Sequence, residues 1–305
     1  MEQIAPSRPT KLTWMVIGVL GVIWGAAFLA AKLALESYEP MSIAMMRIGV
    51  AAAILLVFCY ATGRQLPRLS DEHGPRIWFH MTIFGIITNA VPFTLLNWGQ
   101  NYVSSGFAGV TMALVPLFTL PMAHFMVVGE RMTVIKTIGF VIGFIGIVVL
   151  IEPASFMSST GSDWEPIARI ACVLASLCYA SGTINTRLCP PTSTLAYSAG
   201  GLMIGFILML PLALWLNGWP EIGTMAAMSG VLYLGIFPTA FATILLVWVI
   251  RTAGPTFLTT VNYQVPIWAV IFGVVFLNET IPPSFIIALA IILFGLGISQ
   301  FRKSG

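Results

Sequence analysis

Charged and turn-forming residues cut this sequence into ten continuous apolar stretches, at roughly 13–35, 41–62, 77–98, 105–127, 133–151, 166–187, 194–216, 224–249, 255–277 and 281–301. Each approaches the about 20 apolar residues that an α-helix needs to cross the hydrocarbon of a bilayer. Inside lipid, backbone N–H and C=O groups find partners only within a helix or a closed barrel. Barrel strands alternate apolar and polar residues, and these runs do not. The chain therefore reads as an all-α integral membrane protein with ten transmembrane helices. The first stretch follows Arg8 and Lys11, as in a signal peptide. It is too long for the apolar part of a signal, ends in Lys32 and Glu36, and precedes nine more, so it reads as a retained helix. Composition agrees: 58% of the 305 residues are hydrophobic and 8% are charged, where a soluble domain carries about 25% charged residues. An ordinary soluble enzyme, a disordered chain and a nucleic-acid binder are excluded. The cysteines, Cys59, Cys172, Cys178 and Cys189, lie in or beside apolar segments without CxxC spacing and read as small buried hydrophobes. No metal or cofactor is expected.

Basic residues in short loops set the orientation of a membrane chain. With the N-terminus in the cytoplasm, the inner segments hold Arg8, Lys11, Arg64, Arg68, Arg76, Arg131, Lys136, Arg187, Arg251, Arg302 and Lys303, while the outer segments hold only Lys32 and Arg169. Eleven against two favours ten spans with both termini inside.

The polar stretch at 152–165 separates two five-helix halves, 1–155 and 156–305. Gly146 and Gly295 are offset by 149, as are Glu130 and Glu279, and Gly106 and Pro116 precede Glu130 as Gly254 and Pro266 precede Glu279. Nearer the start of each half, Trp24, Gly25 and Lys32 correspond to Tyr179, Ala180 and Arg187 at an offset of 155. An odd number of helices per half inserts the second half in the opposite sense. That is the inverted repeat of secondary transporters, whose substrate site lies at mid-depth between the halves.

WGAAF in the first span, a Pro with Arg47 early in the second, and a Pro–x13–Glu hairpin before a Gly-rich fifth span resemble the EamA-type drug/metabolite transporters. Within that family, length and aromatic content are most similar to bacterial YddG-like amino-acid exporters. The resemblance covers the whole chain and implies an inner-membrane exporter of small metabolites. It also implies a cavity among spans one, three, four, six, eight and nine, with the pairs four–five and nine–ten bracing the bundle. NETIPP in the second half departs from GERMT in the first, which argues against strictly symmetric motion.

Neutral polar and aromatic side chains at mid-depth are the candidate substrate groups, because amides in hydrocarbon seek partners and aromatic faces suit an apolar solute. They are Trp24 in span one; Asn89, Phe93, Asn97 and Trp98 in span three; Tyr179 and Thr183 in span six; and Asn262, Tyr263 and Gln264 in span nine, just before Pro266. The adjacent trio cannot all face one neighbour, so one or two of them are expected to face a wet cavity. Arg47 is expected to snorkel to the interface or to hold backbone carbonyls, with a substrate carboxylate as the lesser alternative. Glu130 and Glu279 are expected to cap helix starts. His80 and His124 are the residual proton-linked candidates, placed to face one another across neighbouring helices. Gly139, Gly143 and Gly146 form a small-residue stripe suited to close packing, within the monomer first and across a dimer second.

No HExxH, GxSxG, buried aspartate pair or Walker loop is present to support an intramembrane enzyme or direct ATP use. An ion channel would need a charged ring or a carbonyl filter, and a sensor is the remaining alternative. With Arg47 the only deep cation, a neutral or zwitterionic solute fits better than a sugar phosphate, which calls for several cations. The aromatic candidates suit apolar or aromatic amino acids. The expected partners are that solute and the lipid bilayer, with no nucleic acid.

Overall fold

The structure, a computed structural model, describes residues 10–128, 131–151 and 163–300. Glu130, Glu152, Arg8, Arg302 and Lys303 lie outside the described residues. The described residues form helices joined by turns and short loops, with no strand among them. Eight helical segments are long and apolar enough to cross a membrane: α1 (Lys11–Ala34), α2 (Pro40–Ala61), α3 (Gly74–Gly99), α4 (Ser105–Met126), α6 (Glu165–Leu188), α7 (Thr194–Asn217), α8 (Met225–Ala253) and α9 (Thr260–Leu277). Two shorter apolar helices, α5 (Val134–Leu150) and α10 (Pro283–Ile298), occupy the fifth and tenth expected stretches. The chain is thus a multi-pass helical membrane protein.

Local chemistry sets the ends. Thr10 and Thr13 exchange side-chain bonds with each other's backbone N–H, at 2.8 and 3.3 Å, and close a capping box on α1. Pro40 opens α2, where its missing N–H costs nothing. Gly254, at φ 90°, terminates α8 in a conformation that an L side chain resists.

Four helices are irregular inside the membrane-depth region. Phe84–Ala90 in α3 and Gly235–Phe241 in α8 are π-helical. Met112–Leu114 in α4 and Thr259–Tyr263 at the start of α9 are 3₁₀. Each 3₁₀ stretch ends just before a proline, Pro116 or Pro266, that lacks the donor needed to continue an α ladder. In each π stretch a side chain five residues on satisfies a loosened carbonyl: Asn89 Nδ2 donates to Phe84 O at 3.0 Å, and Thr239 Oγ1 donates to Leu234 O at 2.6 Å.

The bundle packs α1 on α8 and α9, α2 on α7, α3 on α6 and α7, and α5 on α10. Small residues govern the closest approaches, as expected where lipid supplies no hydrophobic drive between helices. A Cβ on Gly295 would lie 2.5 Å from Gly143 N and 2.6 Å from Gly139 O, and one on Gly146 would lie 3.0 Å from Ile292 N. The glycine stripe of α5 is therefore used inside the chain, against α10.

Candidate functional site: a mid-depth cavity

The irregular segments of α3, α4, α8 and α9 converge on one cavity among the helices. Regular helical spacing brings each helix's contribution onto one face. From α1 come Trp24, Ala27, Phe28 and Ala31; from α3 come Asn89, Phe93, Leu96, Asn97 and Gln100. Thr88 of α3, Tyr179 and Thr183 of α6, Pro238 and Thr243 of α8, and Asn262 of α9 also line the cavity.

Of the sequence candidates, Trp24, Asn89, Phe93, Asn97, Tyr179, Thr183 and Asn262 line this cavity, and Trp98, Tyr263 and Gln264 do not. Trp98 points into an aromatic group with Tyr102 and Trp164, at ring-centroid distances of 5.2 and 6.1 Å. Tyr263 packs against the largest apolar core cluster. Gln264 lies against α1, where a Cβ on Gly21 would come within 2.9 Å of Gln264 Cβ. The 3₁₀ turn sends the three adjacent side chains in different directions, and only Asn262 reaches the cavity.

Several wall groups are held by backbone carbonyls, one of them in the π stretch of α8. Trp24 Nε1 donates to Pro238 O at 3.2 Å, Asn97 Nδ2 to Pro40 O at 3.1 Å, and Thr183 Oγ1 to Tyr179 O at 2.8 Å. Phe93 and Tyr179 form a tilted ring pair at 6.4 Å.

Arg47 corrects the expectation of snorkelling. It is 6% exposed and lines the cavity. Its Nε and Nη2 both donate to Thr239 Oγ1, at 3.1 and 3.0 Å, and its guanidinium carbon sits 3.6 Å over the Phe93 ring. Thr239, capping its own π-helical segment, thereby ties α8 to α2. The resemblance implied a cavity without the second span; α2 joins it through this one residue. Gln100 was also missed by sequence reasoning. Its position on the same α3 face as Asn89, Phe93 and Asn97 was the available signal.

The two histidines do not face each other. His80 is buried, with Nδ1 2.7 Å from Asn185 Oδ1, while Asn185 Nδ2 donates to the His80 carbonyl at 2.9 Å. His124 is exposed, and its Nδ1 accepts from Met132 N at 3.2 Å. Neither lines the cavity. Glu279 does cap a helix start, that of α4 in the other half: it accepts from Ser105 N at 2.7 Å, Ser105 Oγ at 3.0 Å and Gly106 N at 3.1 Å. Lys32 Nζ donates to Gln100 O close by in the fold.

Comparison with known proteins gives the EamA-like transporter family, matched twice, over residues 12–152 and 166–300. The "uncharacterized inner membrane transporter YedA" of Escherichia coli K12 is 26% identical over 93% of this chain and 89% of its own length. A "probable terminal-alkyne amino-acid exporter" of Streptantibioticus cattleyicolor is 25% identical over 97% of this chain and 95% of its own. An "uncharacterized transporter YoaV" of Bacillus subtilis is 23% identical over 95% and 98%. A crystal structure of a protein 18% identical superposes with a TM-score of 0.69, covering 96% of this chain and 97% of that one, a likeness of fold.

Proposed function

The chain belongs to the EamA-like transporter family, and from that premise we propose that it is a bacterial inner-membrane secondary transporter or facilitator. In this reading it exports small neutral or zwitterionic metabolites, amino acids with apolar or aromatic side chains foremost. The cavity carries the reading: a space among the helices with aromatic faces, amides and hydroxyls, and a single charge among its described wall residues. Such a wall suits a solute with an apolar body and few polar groups. The likeness to the Streptantibioticus exporter supports the amino-acid class. A family of transporters favours transport over the channel, enzyme and sensor alternatives.

The mechanism is alternating access between two inverted five-helix repeats, ten spans in all, with both termini in the cytoplasm. The recurrence of a π stretch in the third and eighth helices, and of a 3₁₀ stretch before proline in the fourth and ninth, supports that duplication. These are the segments whose ladders are already loosened, so they bend at least cost. The working unit is taken as a monomer.

The test is counterflow of a panel of radiolabelled amino acids into proteoliposomes holding the full chain. Apolar and aromatic amino acids should exchange above protein-free vesicles. Asn262→Ala should lower that exchange by roughly tenfold, the scale of a lost buried hydrogen bond, with the purified amount unchanged. A panel in which none exchanges would refute the amino-acid reading.

A further inference from the structure

We propose that Arg47 is the carboxylate-binding group of this cavity, making a free carboxylate the feature that the transporter requires of its solute. The assignment rests on the reading of the cavity as the transport site. Arg47 lies seven residues past Pro40, the first residue of α2, and so about 10 Å along that helix from its start. A cation buried at that depth is costly unless charge or strong hydrogen bonds compensate it. Among the described residues no carboxylate pairs with it; its partners are one hydroxyl and one aromatic ring. It is also the one charged group on the described cavity wall.

The hydrogen-bond geometry leaves one edge of the guanidinium open. Arginine has five donors in a planar fork. Thr239 Oγ1 takes the edge made by Nε and Nη2. That hydroxyl's own proton goes to Leu234 O, so its oxygen is fixed as an acceptor toward Arg47. The outer edge, from Nη1 to the second proton of Nη2, has no partner among the described residues, and Arg47 is part of the cavity wall. Two parallel N–H groups are the match for a carboxylate. Phe93 packs against the guanidinium face, and the two bonds to Thr239 Oγ1 restrain its orientation.

Charge balance selects the ligand class. A monocarboxylate neutralises Arg47; a phosphate dianion would leave a net negative charge in a wall with no second cation. The ammonium of a zwitterion has aromatic faces and amide oxygens available on the same wall. Thr239 belongs to the π-helical stretch of α8, so a carboxylate drawn to Arg47 also draws on a hinge between helices.

The experiment uses counterflow of radiolabelled L-phenylalanine in proteoliposomes, competed by unlabelled L-phenylalanine, L-phenylalaninamide and 3-phenylpropionate. The amide, lacking the carboxylate, should compete roughly tenfold or more weakly than the amino acid, the scale of a charged hydrogen-bond pair. The propionate, lacking the ammonium, should compete. Arg47→Lys should narrow the preference and Arg47→Gln should abolish it. Amide and amino acid competing equally would overturn the assignment, and so would a preference unchanged in either variant. Exchange of phenylalanine with no carboxylate preference leaves the exporter reading standing and removes Arg47 from it. If no amino acid exchanges, the purified parental protein is titrated with 3-phenylpropionate and with phenethyl alcohol, using tryptophan fluorescence, since Trp24 is on the cavity wall. Tighter binding of the acid, weakened in Arg47→Lys, sustains the assignment without the amino-acid class. Equal binding ends it.

Discussion

Gly18 and Gly25 lie two turns apart on α1 and meet opposite surroundings. A Cβ on Gly18 would have nothing within 4 Å, whereas one on Gly25 would collide with Trp268 Cβ and lie 3.2 Å from Ala269 N. The α1–α9 contact is therefore built on the absence of a side chain at Gly25. Gly25→Ala should destabilise the protein by about 1–3 kcal/mol through overpacking. Gly18→Ala should be neutral or slightly stabilising, because alanine is the better helix former by up to about 1 kcal/mol. Heating followed by size-exclusion chromatography of each variant reads the difference; equal melting would mean that α9 can retreat from α1 without loss. Gly25 stands out in the sequence only as part of WGAAF, and its reason, the Trp268 backbone, is 243 positions away. The same distance effect hid Thr239 as the partner of Arg47, since no local pattern links one polar residue in α2 to another in α8.

One join between the halves of this bundle is a polar cap. Glu279, just past the left-handed Asn278 that ends α9 (φ 53°), supplies three acceptor contacts to the start of α4. A carboxylate there meets both unpaired N–H groups and the positive end of the helix. Glu279→Ala should cost about 1–2 kcal/mol, and Glu279→Gln less, since an amide oxygen keeps part of the cap and loses the charge. Thermal stability ordered parent, Gln, Ala checks this; a Gln variant as stable as the parent would show that the charge contributes nothing. The acid's capping role was legible from its place at a hairpin end. Which helix it caps was not, because the hairpin could fold over any neighbour. The π stretches were equally hidden: Asn89 and Pro92 signal a disturbed centre in α3, but no local pattern marks the π-helical turns at Phe84–Ala90, against which α6 and α7 pack.

For the whole molecule, the charge bias of the loops makes the topology testable. In a variant with the four reduced cysteines replaced, Ser70→Cys should label with an impermeant maleimide only after lysis, and Asp163→Cys in intact cells. Both positions are exposed, so failure to label reflects the side of the membrane rather than burial. The reverse pattern would invert the molecule and discard the orientation. Energetics belong to this scale too. No aspartate or glutamate lies on the described cavity wall, and His80 and His124 lie off it. A proton relay through a buried carboxylate needs such a group in the path. Liposomes holding the protein should therefore equilibrate a substrate with no imposed pH gradient or voltage. Accumulation above equilibrium on imposing a pH gradient, lost with a protonophore and with His80→Ala, would show that His80 couples from outside the cavity.

The all-helical class, the places of the apolar stretches along the chain and the polar composition of their centres were determined by the sequence alone. Each follows from local chemistry: twenty apolar residues, a proline or a glycine at an end, an amide at mid-depth. The direction in which each polar side chain points was decided by the tertiary structure. Asn262, Tyr263 and Gln264 are neighbours in sequence, and a 3₁₀ turn before Pro266 sends one to the cavity, one to the core and one to α1. Arg47 was visible as a deep cation. That it stays buried, braced by Thr239 and Phe93 with an open edge, is a product of three helices meeting, because only their joint packing makes hydrogen bonds inside the protein a closer destination than the membrane surface.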